Sequence, residues 1–165
     1  MTGDDYAVIG DESLLSQKAH GTTEEPVQEQ LRWNVNWERA DEICSFNDDH
    51  DKENRGYAWS DSVTWFSELE SLSEGERMTF YDSVTGKPLF IAPQGRSLAD
   101  FKKESRDHGW PSFRDEEVVW ENVRVLNKGD TVSTTGTYLG HAYSKRFGNR
   151  YCINLSCISG RPENL

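Results

Sequence analysis

From Leu31 onward the apolar residues recur with short periods, and before it they do not. Residues 1–30 are polar and acidic without sustained periodicity. They read as a disordered acidic leader to a single domain over 31–165. Leu31, Trp33, Val35 and Trp37 alternate like a strand, whereas Trp33, Trp37 and Ala40 are spaced like a helix, so both readings stay open. NDDHDKENRG, 47–56, is a charged loop. Residues 62–72 predict a short helix with Val63, Phe66 and Leu69 inward and Asp61 as N-cap. MTFYD (78–82) and KPLFIA (87–92) flank SVTG and predict a hairpin, with Gly86 free to take positive φ. Residues 97–108 carry the strongest helix signal. Ser97 and Asp100 resemble a capping box, Gly109 sits at C′, and Pro111 prevents continuation. The runs 117–126, 131–135 and 149–158 are β-branched or aromatic, and NKGD (127–130) is a hairpin turn. The pattern is that of an α+β chain, mainly β, with an antiparallel sheet in its second half.

The run GNRYCINLSC, 148–157, is the most informative for function. If it is a strand, Arg150, Cys152 and Asn154 share one face and the apolar Tyr151, Ile153 and Leu155 share the other. A guanidinium beside a thiol favours the thiolate, which is the reactive form. Free cysteine is also commonly a small buried hydrophobe, so the residue alone does not decide.

Net charge is −11, spread unevenly: residues 1–82 carry a balance of −14 and residues 83–165 a balance of +3. The acidic half argues against nucleic acid or an anionic membrane as partner. The start lacks the basic and apolar regions of a signal peptide, and no apolar run reaches transmembrane length. Three cysteines do not make a secreted disulfide framework, so a cytoplasmic monomer with reduced thiols is expected.

Two further motifs carry chemistry. In GWPSF, 109–113, Trp-Pro after a helix end holds the Trp110 indole on a stiff turn, as an apolar wall for a small methyl or thioether group. TYLGH, 137–141, ends a strand with Gly140 and His141, a proton donor near neutral pH. Structural zinc needs four ligands, and the chain has no CxxC; DDHDKE (48–53) lacks the glycine and terminal glutamate of an EF-hand loop.

GWPSF, LGH and RYCIN in this order resemble the peptide-methionine (R)-S-oxide reductase (MsrB) family over about 78–160. The resemblance implies a β-tent of two antiparallel sheets with short flanking helices. It also implies Cys152 as nucleophile, Arg150 and Asn154 as flanking site residues, His141 as proton donor and Trp110 as receiver of the sulfoxide methyl. The chain departs from the family at four points. Tyr138 stands where the family's HLGH has its first histidine, and a tyrosine is a poorer acid. The zinc cysteine pairs of many members would fall at Asp82/Thr85 and Val132/Thr135, none of them cysteine; zinc-free members exist. The loop from His141 to Cys152 is shorter than usual, and no cysteine precedes GWPSF for recycling.

The expected activity is thiol-dependent reduction of methionine-R-sulfoxide, free or in a protein. Cys152 attacks the sulfoxide sulfur, His141 with Tyr138 serves the departing oxygen, and the resulting sulfenic acid is restored by an external thiol reductant such as thioredoxin. No bound cofactor or metal is expected. Cys44 and Cys157 are candidate resolving residues. Along a continuous strand Cys157 would lie about 16 Å from Cys152 on the opposite face, beyond the ~7 Å Cα separation a disulfide spans. It serves only if the strand ends or bulges at Ser156. The alternatives are a non-catalytic β-tent module that binds a small ligand or peptide, and a thiol redox sensor without turnover.

Overall fold

A computed structural model describes residues 7–46, 53–145 and 148–163. Among them are three α-helices, α1 (Trp37–Ser45), α2 (Trp65–Glu70) and α3 (Leu98–His108). The seven strands are β1 (Met78–Tyr81), β2 (Pro88–Ala92), β3 (Ser112–Phe113), β4 (Val123–Val125), β5 (Asp130–Ser133), β6 (Tyr138–Lys145) and β7 (Gly148–Ile153). β1 and β2 form the hairpin expected from their alternation, with Gly86 at φ 79° in the turn. The second sheet has the order β3-β7-β6-β5-β4, every neighbour antiparallel. The fold is α+β, mainly β, built on two antiparallel sheets.

Aromatic packing joins the sheets. Phe80 and Phe90 face each other across the hairpin, and both meet Phe113 of β3, with ring centroids 5.1 and 4.3 Å away. Phe101 of α3 closes the cluster at 5.6 Å from Phe113. All four rings are fully buried, and truncating any one to alanine costs about 3–5 kcal/mol. α3 forms as its caps predict. Ser97 accepts from the Asp100 amide at 3.0 Å, and Gly109, at φ 87°, donates to the Ser105 carbonyl at 2.9 Å. Leu98, Phe101 and Ser105 make its buried face. The Ser105 hydroxyl then accepts from the Ser112 amide at 3.0 Å, which fixes β3 against the helix.

Several expectations need correction. Residues 7–30 are not a free leader. Val8–Gly10 lies along the edge of β4, with Val125 donating to the Val8 carbonyl and Gly10 donating to Val125, both at 2.9 Å. Thr22 bonds the Ser45 and Gly136 carbonyls, and Val27 is buried. Backbone and side-chain hydrogen bonds hold this strap, with Ala7, Leu14, Leu15 and Val27 packed on the core at irregular spacing, so it leaves no hydrophobic period to read. Residues 1–6 and 47–52 lie outside the described residues, and so does most of the charged loop. Neither reading holds from Leu31: Arg32–Asn34 form a 3-10 turn with Trp33 at φ 61°, and α1 begins only at Trp37, capped by Asn36, whose side chain accepts from the Arg39 amide at 2.8 Å. Asp61 does not cap α2, which starts at Trp65, and Trp65 with Leu69 makes its buried face. TYLGH opens β6 instead of ending a strand, and β7 stops at Ile153, giving way to a 3-10 turn over Leu155–Cys157. No helix among the described residues is long and apolar enough to cross a membrane.

Candidate functional site

The register of the larger sheet builds a row of side chains across four strands. Ser112 pairs with Cys152, Cys152 with His141, and His141 with Asp130. Directly paired residues project from the same face of a sheet, so β3, β7, β6 and β5 each contribute one polar group to one line. Tyr143, two residues beyond His141, pairs with Arg150, two before Cys152. Gly140 permits the close approach of β6 to β7: a Cβ there would lie 2.2 Å from the Cys152 carbonyl oxygen.

A cavity of about 70 Å³ opens over this row. Cys152 and Asn154 line it from the end of β7, Tyr138, Gly140, His141 and Tyr143 from β6, and Trp110 from the turn after α3. The indole is held in place, donating from Nε1 to the Glu53 carbonyl at 3.1 Å. Asn154 donates its amide to the Leu139 carbonyl at 2.8 Å, which keeps the end of β7 against β6. Tyr151 and Ile153 are fully buried, as the alternation requires, and Leu155 is buried in the 3-10 turn that follows.

Arg150 is buried, donates from Nη1 to the Cys152 sulfur, and stacks over the Tyr143 ring at 4.9 Å. The Ser112 hydroxyl lies 3.8 Å from the same sulfur and 2.9 Å from the Trp110 carbonyl. Despite these partners the Cys152 thiol is pushed up from its ordinary value. Burial is the largest cause; the charge of Arg150 and the hydrogen bonds from Ser112 and Arg150 pull it down without offsetting that, and Glu104 adds to the rise. The expected pull of Arg150 toward the thiolate is thus present but outweighed by burial. The imidazole of His141 leans toward β5. Its Nδ1 is 3.6 Å from Asp130, outside hydrogen-bond distance, and a Cβ built on Gly129 would come within 2.7 Å of its Nε2.

Cys44 and Cys157 do not line this cavity. Cys44, on α1, and Cys157, in the turn after β7, are both fully buried, and their sulfurs lie 2.8 Å apart. The two candidate resolving residues are thus brought to each other and not to Cys152.

Sequence reasoning missed four groups at or beneath the site. Ser112, Asp130 and Tyr143 depend on register, although Tyr143 follows His141 at the strand period. Glu53 reads as one more charge in a polar loop. Its carboxylate is instead buried under the site, accepting from the Leu155 and Ser156 amides at 3.0 and 2.8 Å and from the Ser156 hydroxyl at 2.8 Å. Burial pushes it up to about 7 against those hydrogen bonds.

The positions where the resemblance would place zinc ligands do not fit a metal. Asp82 is buried, and its carboxylate already accepts from the Val84 amide at 2.8 Å and from the Thr137 hydroxyl at 2.9 and 3.0 Å. Thr135, for its part, bonds to the Ser133 hydroxyl. Protein hydrogen bonds thus join the β1–β2 turn to the β5–β6 turn. No group of three or more His, Cys, Asp or Glu poised for a metal occurs among the described residues. Comparison with known proteins finds no matching family model, no matching curated protein and no matching solved structure.

Proposed function

We propose that this protein reduces methionine sulfoxide at Cys152. The observation that carries the reading is the convergence of a partly exposed thiol, an imidazole and a fixed indole on one cavity of about 70 Å³, with the Arg150 guanidinium donating to that thiol from behind the wall. A water occupies roughly 30 Å³ of liquid, so the cavity suits a group of a few heavy atoms, such as a methyl sulfoxide. Trp110 offers the methyl an apolar wall, and the polar row beneath faces the sulfur and oxygen.

The resting thiol is protonated, which fits a step that needs no proton from outside. The Cys152 sulfur bonds to the sulfoxide sulfur as its proton passes to the sulfoxide oxygen. The new sulfur–sulfur bond and the substrate's sulfur–oxygen bond then break as the hydroxyl moves to Cys152, giving a sulfenic acid, and the thioether leaves with its electron pair. Arg150 stabilises negative charge as it develops on the attacking sulfur. His141, with Asp130 beside it, relays the proton to the oxygen, and Tyr138 donates a hydrogen bond there. Two external thiols then restore Cys152: one forms a mixed disulfide and releases water, and the second displaces it. The preference for the R epimer and the use of a thioredoxin-type reductant rest on the resemblance, and a cytoplasmic setting rests on the composition of the chain. The acidic net charge speaks against nucleic acid or an anionic membrane as a partner.

One observation favours a second reading, a small-ligand or peptide-binding module. The Cys152 thiol is not held as a thiolate, and a pocket without turnover would keep the same walls. Turnover on separated sulfoxide epimers, with dithiothreitol or a thioredoxin system, decides. Release of methionine from the R epimer supports the enzyme; no release from either epimer with either reductant supports the binding module.

A further inference from the structure

Cys44 and Cys157 are 113 positions apart in the chain, yet their sulfurs approach to 2.8 Å. Non-bonded carbon atoms rest about 3.5–4.0 Å apart, and sulfur is larger than carbon. The two thiols are therefore closer than ordinary contact, and a small shift brings them to the ~2.05 Å of a disulfide. Their surroundings point the same way. Both are sealed from solvent, and the Cys44 thiol also approaches the Ser156 carbonyl at 3.8 Å. The turn carrying Cys157 is anchored from its other side by the Glu53 carboxylate, through Leu155 and Ser156. It is attached to the cavity wall as well, since the Cys157 amide donates to the Asn154 carbonyl at 3.0 Å.

We infer that Cys44 and Cys157 form a reversible disulfide that ties α1 to the turn behind Asn154, leaving Cys152 as the one free thiol of the oxidised protein. The bond forms by exchange with a small-molecule disulfide of the glutathione class. One cysteine, as thiolate, attacks the reagent, forms a mixed disulfide and releases one thiol. The other loses its proton, displaces the second thiol and closes the bond. Two electrons and two protons leave the protein and appear on the reagent as two thiols. Because both sulfurs are buried, the exchange proceeds through local opening of α1 from the turn and is slow. In a reducing compartment the pair rests as two thiols and closes under oxidant load. This inference does not depend on what Cys152 does.

Peptide mapping tests it. The whole chain is refolded from denaturant in reduced and oxidised glutathione, so access is not limiting, then alkylated and digested without reduction. The expected product links the peptide containing Cys44 to that containing Cys157, with Cys152 alkylated or carrying glutathione. Oxidation should raise the thermal midpoint by roughly 5–15 °C, given the length of chain closed. That rise should persist in Cys152→Ser and vanish in Cys44→Ala and in Cys157→Ala. A link from either residue to Cys152, or free thiols at both positions after oxidative refolding, overturns the inference.

Discussion

The molecule holds its sulfur in two contrasting places. Cys152 sits at the mouth of a small cavity, in line with Ser112 and His141 and touched by the Arg150 guanidinium. Cys44 and Cys157 are sealed between α1 and the turn after β7, with each other as neighbour. Burial pushes all three thiols up, the pair without a cation against them, Cys152 with Arg150 pulling down. The contrast teaches that burial sets the baseline and a local charge then selects which thiol can react. What distinguishes Cys152 is therefore access and a cation, and not a low resting pKa.

The most severe way to break the contrast is to remove the reactive member. Cys152→Ser should lose sulfoxide reduction altogether, since a hydroxyl of ordinary pKa is a poor nucleophile toward sulfur. Cys157→Ser should leave the first turnover intact, because Cys157 is outside the cavity; rapid-quench assay of released methionine checks both.

Glu53 tests what holds the turn between the two places. A folded-state value of about 7, above the ordinary 4.5, means the native protein binds the proton more tightly than the unfolded chain. Stability from this group is complete below pH 4.5 and is lost as pH rises to about 7, by up to about 3 kcal/mol. Glu53→Gln should flatten that dependence. Urea unfolding at stepped pH should show wild-type stability rising relative to the variant as pH falls from about 7 to 4.5; a relative fall over that window would contradict the sign.

His141→Ala should cost roughly 10²-fold in turnover, the usual scale of a positioned proton donor. Its thiol alkylation rate should not move, because the ring leans toward β5 and makes no hydrogen bond to Cys152. Arg150→Met should act on the reactivity of the thiol. It removes the charge opposing burial, so Cys152 alkylation at neutral pH should slow about tenfold for each unit the thiol rises. Cys44 and Cys157 should be unaffected; peptide-resolved alkylation rates report all three sites together.

The parts of the fold that were legible in the chain are those written locally. The alternation of MTFYD and KPLFIA predicts β1 and β2, and Ser97, Asp100 and Gly109 mark both ends of α3. The candidate site was legible to the same depth. Trp110, Tyr138, His141, Cys152 and Asn154 do converge on one cavity, and the faces of β7 fall as period two requires. What was not legible depends on register and packing. Asp130 and Ser112 enter the row only because β5 and β3 pair at particular positions. Glu53 reads as part of a polar loop, and only the fold buries its carboxylate. The strap over residues 7–30 is held by hydrogen bonds and a few irregularly spaced apolar side chains, which leave no hydrophobic period. The direction of the Cys152 shift follows from burial, which neighbouring letters do not report, so Arg150 looked decisive when it is only opposing.

The central claim is that Cys152 takes oxygen from methionine sulfoxide, and a single turnover without any reductant tests it directly. Reduced protein is mixed with each separated sulfoxide epimer, released methionine is counted, and Cys152 is trapped with a sulfenic-acid reagent. The account predicts about one methionine per protein from the R epimer, with the trap on Cys152 and on neither Cys44 nor Cys157. No methionine from either epimer, together with an untrapped Cys152, would contradict it.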